Sequence, residues 1–160
     1  MEQRVIFPSN ELVVGFPVVK SDVLLSIRRR DPWLGNFSGL SGSVEKADQN
    51  IFEAMIREAK EEAGIEIDFS NMEKRGEIQI FREEKKPITL NIIFIHHFRG
   101  IPKTTKTMGP HLLFPIENLP TSEMIPGDKY WVYRMLKGEF ITGKIFRSAD
   151  AEKLLEIEIA

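Results

Sequence analysis

The sequence of 160 residues contains no cysteine. This absence excludes disulfides, thiol nucleophiles and zinc sites built on thiolates. The sequence also lacks an apolar run near the ~20 residues that a membrane-spanning helix needs. Its first residues include no apolar stretch of signal-peptide length. We therefore expect a soluble, cytoplasmic protein with no membrane partner.

An excess of basic residues is missing as well. The chain has 22 Lys and Arg against 24 Asp and Glu, and its formal net charge is -2. Proteins that coat nucleic acid polymers or membrane surfaces need a marked basic excess, so neither partner is expected. A small anionic ligand held by a local site remains compatible with this balance. The length suits one domain, residues 1–160, with one sizeable core.

The spacing of apolar and turn-forming residues predicts several strands. Residues 11–28 have the pattern of a β-hairpin that ends on the basic triplet 28–30. Residues 31–49 contain three glycines and are too broken for a helix, so we expect a long ordered loop around one short strand. Further strands are expected at 74–82 and 88–98, a short strand with a turn at 113–120, and a C-terminal hairpin that joins 139–148 to 153–159.

Two helices are expected at separate places in the chain. Apolar residues recur with helical spacing between Asn50 and Gly64. Asn50 with Glu53 has the form of a capping box, and Gly64 suits the end of a helix. A second helix is expected at 126–138, opened by Pro126 and Asp128. Strands combined with helices in two places predict an α+β domain with helices on the faces of a mixed sheet.

Three glutamates in the first of these helices carry the main functional signal. At about 100° per residue, Glu58, Glu61 and Glu62 share an arc of about 100°. In an ordinary solvated helix face, Arg57 and Glu61 would form a pair that contributes roughly 0.2–0.5 kcal/mol, and crowded like charges would oppose the helix. A hard divalent cation such as Mg²⁺ would reverse that repulsion, because it binds carboxylate oxygens and substrate phosphates.

The same segment carries a known motif. Residues 57–65, REAKEEAGI, match REUxEExGU, where U is a bulky apolar residue and Ala59 takes the first such position. Residues 42–48, GSVEKAD, resemble the upstream part, GKVExGE. The chain thus resembles the Nudix hydrolase superfamily, and over most of its length it resembles the MutT-type oxidised-purine nucleoside triphosphatases. The resemblance implies the Nudix fold, a mixed β-sheet in an α/β/α sandwich.

The resemblance also implies roles for residues of the motif. Glu58 and Glu62 would be principal ligands of Mg²⁺, or of Mn²⁺, with Glu61 as a further ligand and the backbone carbonyl of Ser41 completing the set. Either Glu58 or Glu62 would act as general base. Arg57 would hold the preceding loop through a charge-assisted hydrogen bond to an acid upstream.

The loop before the helix departs from the family spacing. Without a gap, Ser43 takes the glycine position and Gln49 the position of the acid. With one inserted residue, Gly42 and Asp48 take those positions, and we favour this alignment because it keeps both residue types. A distal glutamate of the metal site in the animal enzymes aligns with Thr107.

The expected substrate-binding residues are Arg28, Ser38, Leu40, Ile125 and Asp128. Arg28 is included for its place near the site, and the alternative is that it is solvated at the end of an exposed strand. Ile125 stands where the animal enzymes stack a tryptophan on the purine, and Asp128 is the second of two acids that read the base edge there. Asp128 has an alternative role as N-cap of the second helix.

Aromatic and histidine side chains have simpler explanations. Trp33 and Trp131 would line the pocket or lie in the core. His96 and His97 are adjacent in an expected strand, so they would face opposite sides and form no shared metal site.

These features predict a Mg²⁺-dependent enzyme that hydrolyses a nucleoside triphosphate to a monophosphate and pyrophosphate. An oxidised purine nucleotide such as 8-oxo-dGTP is one candidate substrate. The alternatives are hydrolysis of another nucleoside diphosphate derivative, or a non-catalytic module that senses nucleotides. A monomer is expected from the resemblance.

Overall fold

A computed structural model describes residues 10–160 of the chain. Within that range nine strands pair into one mixed sheet, with α-helices packed against it. The elements in chain order are β1 (Glu11–Val19), β2 (Asp22–Arg28), β3 (Phe37–Ser38), β4 (Leu40–Ser43), α1 (Ile51–Ala63), β5 (Met72–Arg82), β6 (Ile88–Ile95), β7 (Met108–Pro115), α2 (Val132–Leu136), β8 (Ile141–Arg147) and β9 (Leu154–Ile159).

The sheet divides along β1. Its main path has the order β3-β2-β1-β6-β5-β8-β9, while β4 pairs with β1 and β7 pairs with β2 outside that path. β1 is parallel to β6, and β5 is parallel to β8. β1 pairs with β4 from Leu12 to Gly15, and with β2 at Val18 and Val19. β4 and β2 therefore pair with successive parts of β1 and separate from each other. The sheet face beside β4 is left open.

The two faces of the sheet bury separate hydrophobic clusters. Val13 and Ile93 contact the cluster of α1, whereas Val14 and Ile92 belong to a cluster that includes Trp131 and α2. Neighbouring strand residues point to opposite faces, so alternate side chains serve the two clusters. The helices thus lie on opposite faces, and the expected α+β fold with a mixed sheet in an α/β/α sandwich is confirmed.

The first expected helix is confirmed as α1. The Asn50 side chain accepts hydrogen bonds from the backbone N–H groups of Phe52 and Glu53. The Glu53 carboxylate accepts from the backbone N–H of Gln49 at 2.9 Å. A capping box would use the N–H of Asn50, so this bond lies one residue earlier. Gly64 ends the helix with φ of 68°, a left-handed conformation that glycine adopts at little steric cost.

The second expected helix is largely wrong. The segment contains a single 3₁₀ turn at Asp128–Tyr130 and then the short α2, Val132–Leu136. Gly127 has φ of 106° and Trp131 has φ of -139°. Both conformations lie outside the helical region. Gly127 precedes the 3₁₀ turn, and Trp131 separates the turn from α2. The sequence suggested one longer helix because Pro126 and Asp128 are typical of a helix start, and nothing local marks the break at Trp131.

Three strand predictions also need correction. The segment before α1 contains two short strands, β3 and β4, where one was expected. β7 begins at Met108, because the Gly109–Pro110 pair, which looks like a strand breaker, lies inside it. β6 ends at Ile95, so His96 and His97 follow the strand. Both histidines are exposed, and His96 contacts Glu73 at 3.1 Å.

Residues 10–160 contain no helix with the length and apolar character needed to cross a membrane.

Candidate active site

A cavity of about 640 Å³ extends along the sheet face on which Trp131 lies. Its walls come from β1, the segment after β2, β4, α1, the β5–β6 hairpin, the segment before α2 and the end of β8. Glu58 and Glu61 line it beside β4, where the sheet divides. The cavity thus joins the α1 carboxylates to the region around Asp128.

Glu62 lies behind the cavity wall with only 1% of its surface exposed. The backbone N–H of Ser41 donates to Glu62 Oε1 at 2.8 Å, and Arg30 Nη2 donates to Glu62 Oε2 at 3.1 Å. Burial raises the pKa of Glu62 to about 7, although the Ser41 hydrogen bond and the nearby arginines act in the opposite direction. The two hydrogen bonds therefore compensate only part of the cost of burying this charge.

Glu58 is buried against the glycine of the preceding loop. It accepts a hydrogen bond from Arg57 Nη1 at 2.8 Å, and burial raises its pKa. A Cβ atom placed on Gly42 would lie 2.1 Å from the Glu58 carboxylate. Only glycine leaves room for that carboxylate, so Gly42 meets the need of the glycine position in the motif.

Arg57 connects α1 to the loop that precedes it. Its Nη2 donates to Asp48 Oδ2 at 2.8 Å and to the Ser43 carbonyl at 2.9 Å, and its Nε donates to Asp48 Oδ1 at 3.3 Å. These hydrogen bonds raise the pKa of Arg57 and lower that of Asp48. The geometry thus pairs Arg57 with Asp48 and leaves Gln49 outside this contact, as in the alignment with one inserted residue.

The carboxylates of α1 suit a divalent cation by their chemistry. Among residues 10–160, no three acidic or histidine side chains already converge as a metal-binding set. Arg57 engages Glu58, Arg30 engages Glu62, and Glu61 is mostly exposed. Binding a cation would exchange these arginine contacts for metal–oxygen contacts. Burial raises the pKa of both Glu58 and Glu62, and a bound cation would favour their ionised forms, so the donor set fits such an ion. Ser41 also lines the cavity.

Four of the five expected substrate-binding residues line this cavity, namely Arg28, Ser38, Ile125 and Asp128. The expectation for the fifth, Leu40, is wrong. Its side chain is fully buried and packs in the α1 cluster, because it occupies a β4 position that faces the helix. Thr107 does not line the cavity either; its backbone carbonyl accepts from the N–H of Arg29 at 2.9 Å.

Asp128 is not a helix cap. The residue preceding the 3₁₀ turn is Gly127, Trp131 precedes α2, and neither helix start has a side-chain capping bond. Asp128 is 6% exposed, and burial raises its pKa to about 7, an effect that the charge of Arg147 opposes. A buried carboxylate that faces a cavity is a candidate ligand contact.

Sequence reasoning missed three arginines of the cavity, Arg30, Arg82 and Arg147. Arg30 lines it near α1, and Arg147 lines it at the end of β8. Arg30 was visible only as one member of the basic triplet. Arg147 follows an ordinary strand pattern, and no motif signals it. Trp33 and Trp131 both line the cavity, and Trp131 also belongs to the core.

Comparison with known proteins agrees with this geometry. The NUDIX domain family matches residues 10–135. The mouse oxidized purine nucleoside triphosphate hydrolase is 26% identical over 138 residues, which cover 86% of this chain and 85% of that protein.

Solved structures share the fold. A MutT protein from Bacillus halodurans superposes with a TM-score of 0.74 at 22% identity, covering 93% of this chain and 96% of that one. The NUDIX domain of Shewanella oneidensis NrtR, crystallised with ADP ribose, superposes with a TM-score of 0.65 at 11% identity, covering 86% and 92%. The chain therefore belongs to the Nudix family, whose domain matches most of its length.

Proposed function

We propose that this protein is a Mg²⁺-dependent pyrophosphohydrolase that converts a nucleoside triphosphate to a monophosphate and pyrophosphate. The observation that carries the proposal is that one cavity is lined by Glu58 and Glu61 of α1 and also by Arg28 and Asp128. A triphosphate lying along it would place phosphates beside α1 and the base near Asp128.

Glu58, Glu61, Glu62 and the Ser41 carbonyl would hold the Mg²⁺ ion, and Mn²⁺ has the same ligand preferences. When bound, the ion neutralises charge on the phosphate oxygens and favours ionisation of water. Arg28 and Arg30 line the same part of the cavity and add positive charge toward the phosphate chain. Arg57 keeps the loop in place through Asp48 and the Ser43 carbonyl.

In the reaction, a water oxygen forms a bond to phosphorus while the bond to the anhydride oxygen breaks. The proton of the water passes to a carboxylate, and cleavage of the bridge between the α and β phosphorus atoms yields the monophosphate and pyrophosphate. Burial raises the pKa of both Glu58 and Glu62, the latter to about 7. A general base works best when its pKa is near the working pH, so Glu62 suits this role, and the pKa of Glu58 is shifted in the same direction.

Two relatives point to different substrate classes. The mouse relative is named for oxidised purine nucleoside triphosphates, which supports a triphosphate such as 8-oxo-dGTP. The Shewanella domain was crystallised with ADP ribose, and a cavity of about 640 Å³ has room for a nucleoside diphosphate derivative of that size.

The test is product analysis with Mg²⁺ across 8-oxo-dGTP, dGTP, the other deoxynucleoside triphosphates and ADP-ribose. Release of pyrophosphate from triphosphates supports the proposal. Selectivity for 8-oxo-dGTP over dGTP would further show that the enzyme recognises the oxidised base. Cleavage of ADP-ribose alone would assign the second class. Nucleotide binding without any cleavage would instead favour a sensing module. Removal of the metal with a chelator should abolish product release, and added Mg²⁺ should restore it.

A further inference from the structure

The end of the cavity away from α1 contains an arginine with two buried nitrogen atoms that find no hydrogen-bond partner in the described part of the chain. Arg147 ends β8 and is 3% exposed. Its Nε and Nη1 atoms are buried and have no hydrogen-bond partner among residues 10–160. A buried guanidinium with unused donors is costly. Because the residue lines the cavity, a ligand can supply the missing acceptor.

Trp33 positions this guanidinium. The Arg147 Cζ atom lies 4.7 Å from the centre of the Trp33 ring, within the range of a cation–π contact. Trp33 has φ of 65°, an uncommon conformation for a large side chain. The ring therefore restricts the orientation of Arg147 and its donors.

Asp128 provides an acceptor at the same end of the cavity. Its charge acts on Arg147, yet no hydrogen bond or ion pair joins the two side chains in the part of the chain that the structure describes. The Asp128 carboxylate accepts no other side-chain hydrogen bond there either. An unused donor and an unused acceptor thus lie near each other in one buried region.

We propose that Arg147 and Asp128 together read a lactam edge of the nucleobase, in which a ring carbonyl adjoins a ring N–H. Arg147 donates to the carbonyl oxygen, and Asp128 accepts from the N–H. Arg147 is thereby a specificity-determining residue and Trp33 a positioning residue. The inference rests on the proposed function in that it takes the ligand to be a nucleotide.

The reverse hydrogen-bond pattern does not suit this pair. Adenine and cytosine present an amino donor beside a ring nitrogen acceptor, so that the amino group would face the donors of Arg147. Sites built on buried hydrogen bonds reject ligands that leave those bonds unmade. A second phosphate would suit Arg147 alone, but the neighbouring Asp128 carboxylate would repel it. A lactam satisfies both side chains at once.

The experiment compares nucleotides that differ only at this edge. Binding of dIMP and dAMP is measured by titration calorimetry at pH about 8, where Asp128, with its pKa of about 7, is ionised. The pair dUMP and dCMP repeats the comparison with a smaller ring. The wild type should bind dIMP about tenfold to hundredfold more tightly than dAMP, the range expected for one well-formed arginine–base contact. Equal affinities in the wild type would overturn the inference without any variant.

Variants then assign the preference to its residues. Arg147→Met should remove the dIMP preference, while Arg134→Met, which alters an arginine that pairs with Glu139 at 2.9 Å, should keep it. Arg147→Lys retains the charge without the planar fork and should keep only part of the dIMP preference. This variant also tests the inference if Arg147→Met does not fold. A preference that persists in a folded Arg147→Met protein would contradict the inference.

Two substitutions of Trp33 test its positioning role separately. Trp33→Phe keeps an aromatic ring and should keep most of the dIMP preference, whereas Trp33→Leu should lose it. An equal loss in both variants would contradict the positioning role. Pyrophosphate release is scored independently of binding. If dIMP is preferred through Arg147 but no triphosphate is cleaved, the proposed function fails while the reading of the base edge stands.

Discussion

At the scale of single residues, the buried carboxylate of Glu62 is retained at a cost to stability. Its pKa is raised by burial from 4.5 to about 7. Between these two values the folded state binds a proton that the unfolded state has released, so the free energy of unfolding falls as the pH rises through this window. Above pH 7 the folded protein has to hold a buried negative charge. This is consistent with a site in which a bound cation neutralises the buried charge.

The first prediction follows from this fall in the free energy of unfolding as the pH rises. Glu62→Gln should raise the free energy of unfolding by about 1–3 kcal/mol at pH 8, and the gain should shrink toward zero as the pH falls to about 4.5. Urea unfolding at several pH values measures it. Glu66→Gln is the control, because this exposed glutamate has a lowered pKa from its contacts with Lys60 and Arg99. A Glu62→Gln protein less stable than wild type at pH 8 would contradict the explanation.

The second prediction concerns Gly42. Gly42→Ala would place a methyl group on the Glu58 carboxylate, the far end of a flexible side chain that can move aside. Stability should therefore change little, while kcat/KM falls by about tenfold or more because the carboxylate is displaced. The double variant with Glu58→Ala should lose little beyond Glu58→Ala alone, since both changes affect one group. Additive losses would show that Gly42 acts elsewhere.

At the scale of elements, the contact between Arg57 and Asp48 attaches the loop to α1. The third prediction is that Asp48→Ala lowers the free energy of unfolding by about 1–3 kcal/mol, because it leaves the Arg57 guanidinium without its main partner. Gln49→Ala is the matched control, since the contact of Gln49 with the helix uses its backbone N–H. Denaturant unfolding compares the two variants. A larger loss for Gln49→Ala would favour the alignment without an insertion.

The elements also show what the sequence could and could not predict. α1 was predictable because its cap at Asn50, its apolar stripe and its stop at Gly64 are all local signals. The segment before α2 was not, because the positive φ of Gly127 and the non-helical Trp131 depend on packing in the core. Arg147 lacked any signal, since its role depends on Trp33 and Asp128, which are distant in sequence. Leu40 was misassigned because the face of a short strand depends on its pairing with β1.

At the scale of the whole molecule, the division of the sheet at β1 brings two distant parts of the chain to one cavity. α1 packs on one face of the sheet, yet Glu58 and Glu61 line the cavity beside β4. The segment at Asp128 and the end of β8 form the opposite end of the cavity. Hydrolysis and base recognition would then be properties of separate elements. The expected monomer stays a prediction, which light scattering of the purified protein tests.

The central claim is that the α1 carboxylates perform Mg²⁺-dependent hydrolysis. The most direct measurement is the rate of pyrophosphate release from the best triphosphate by wild type, Glu58→Gln, Glu62→Gln and the control Glu66→Gln. An amide is a poor ligand for a hard cation and accepts no proton at neutral pH, so both site variants should lose about a hundredfold or more in kcat while remaining folded. Glu66→Gln should keep the wild-type rate. Near-normal turnover in a folded Glu58→Gln or Glu62→Gln protein would contradict the claim.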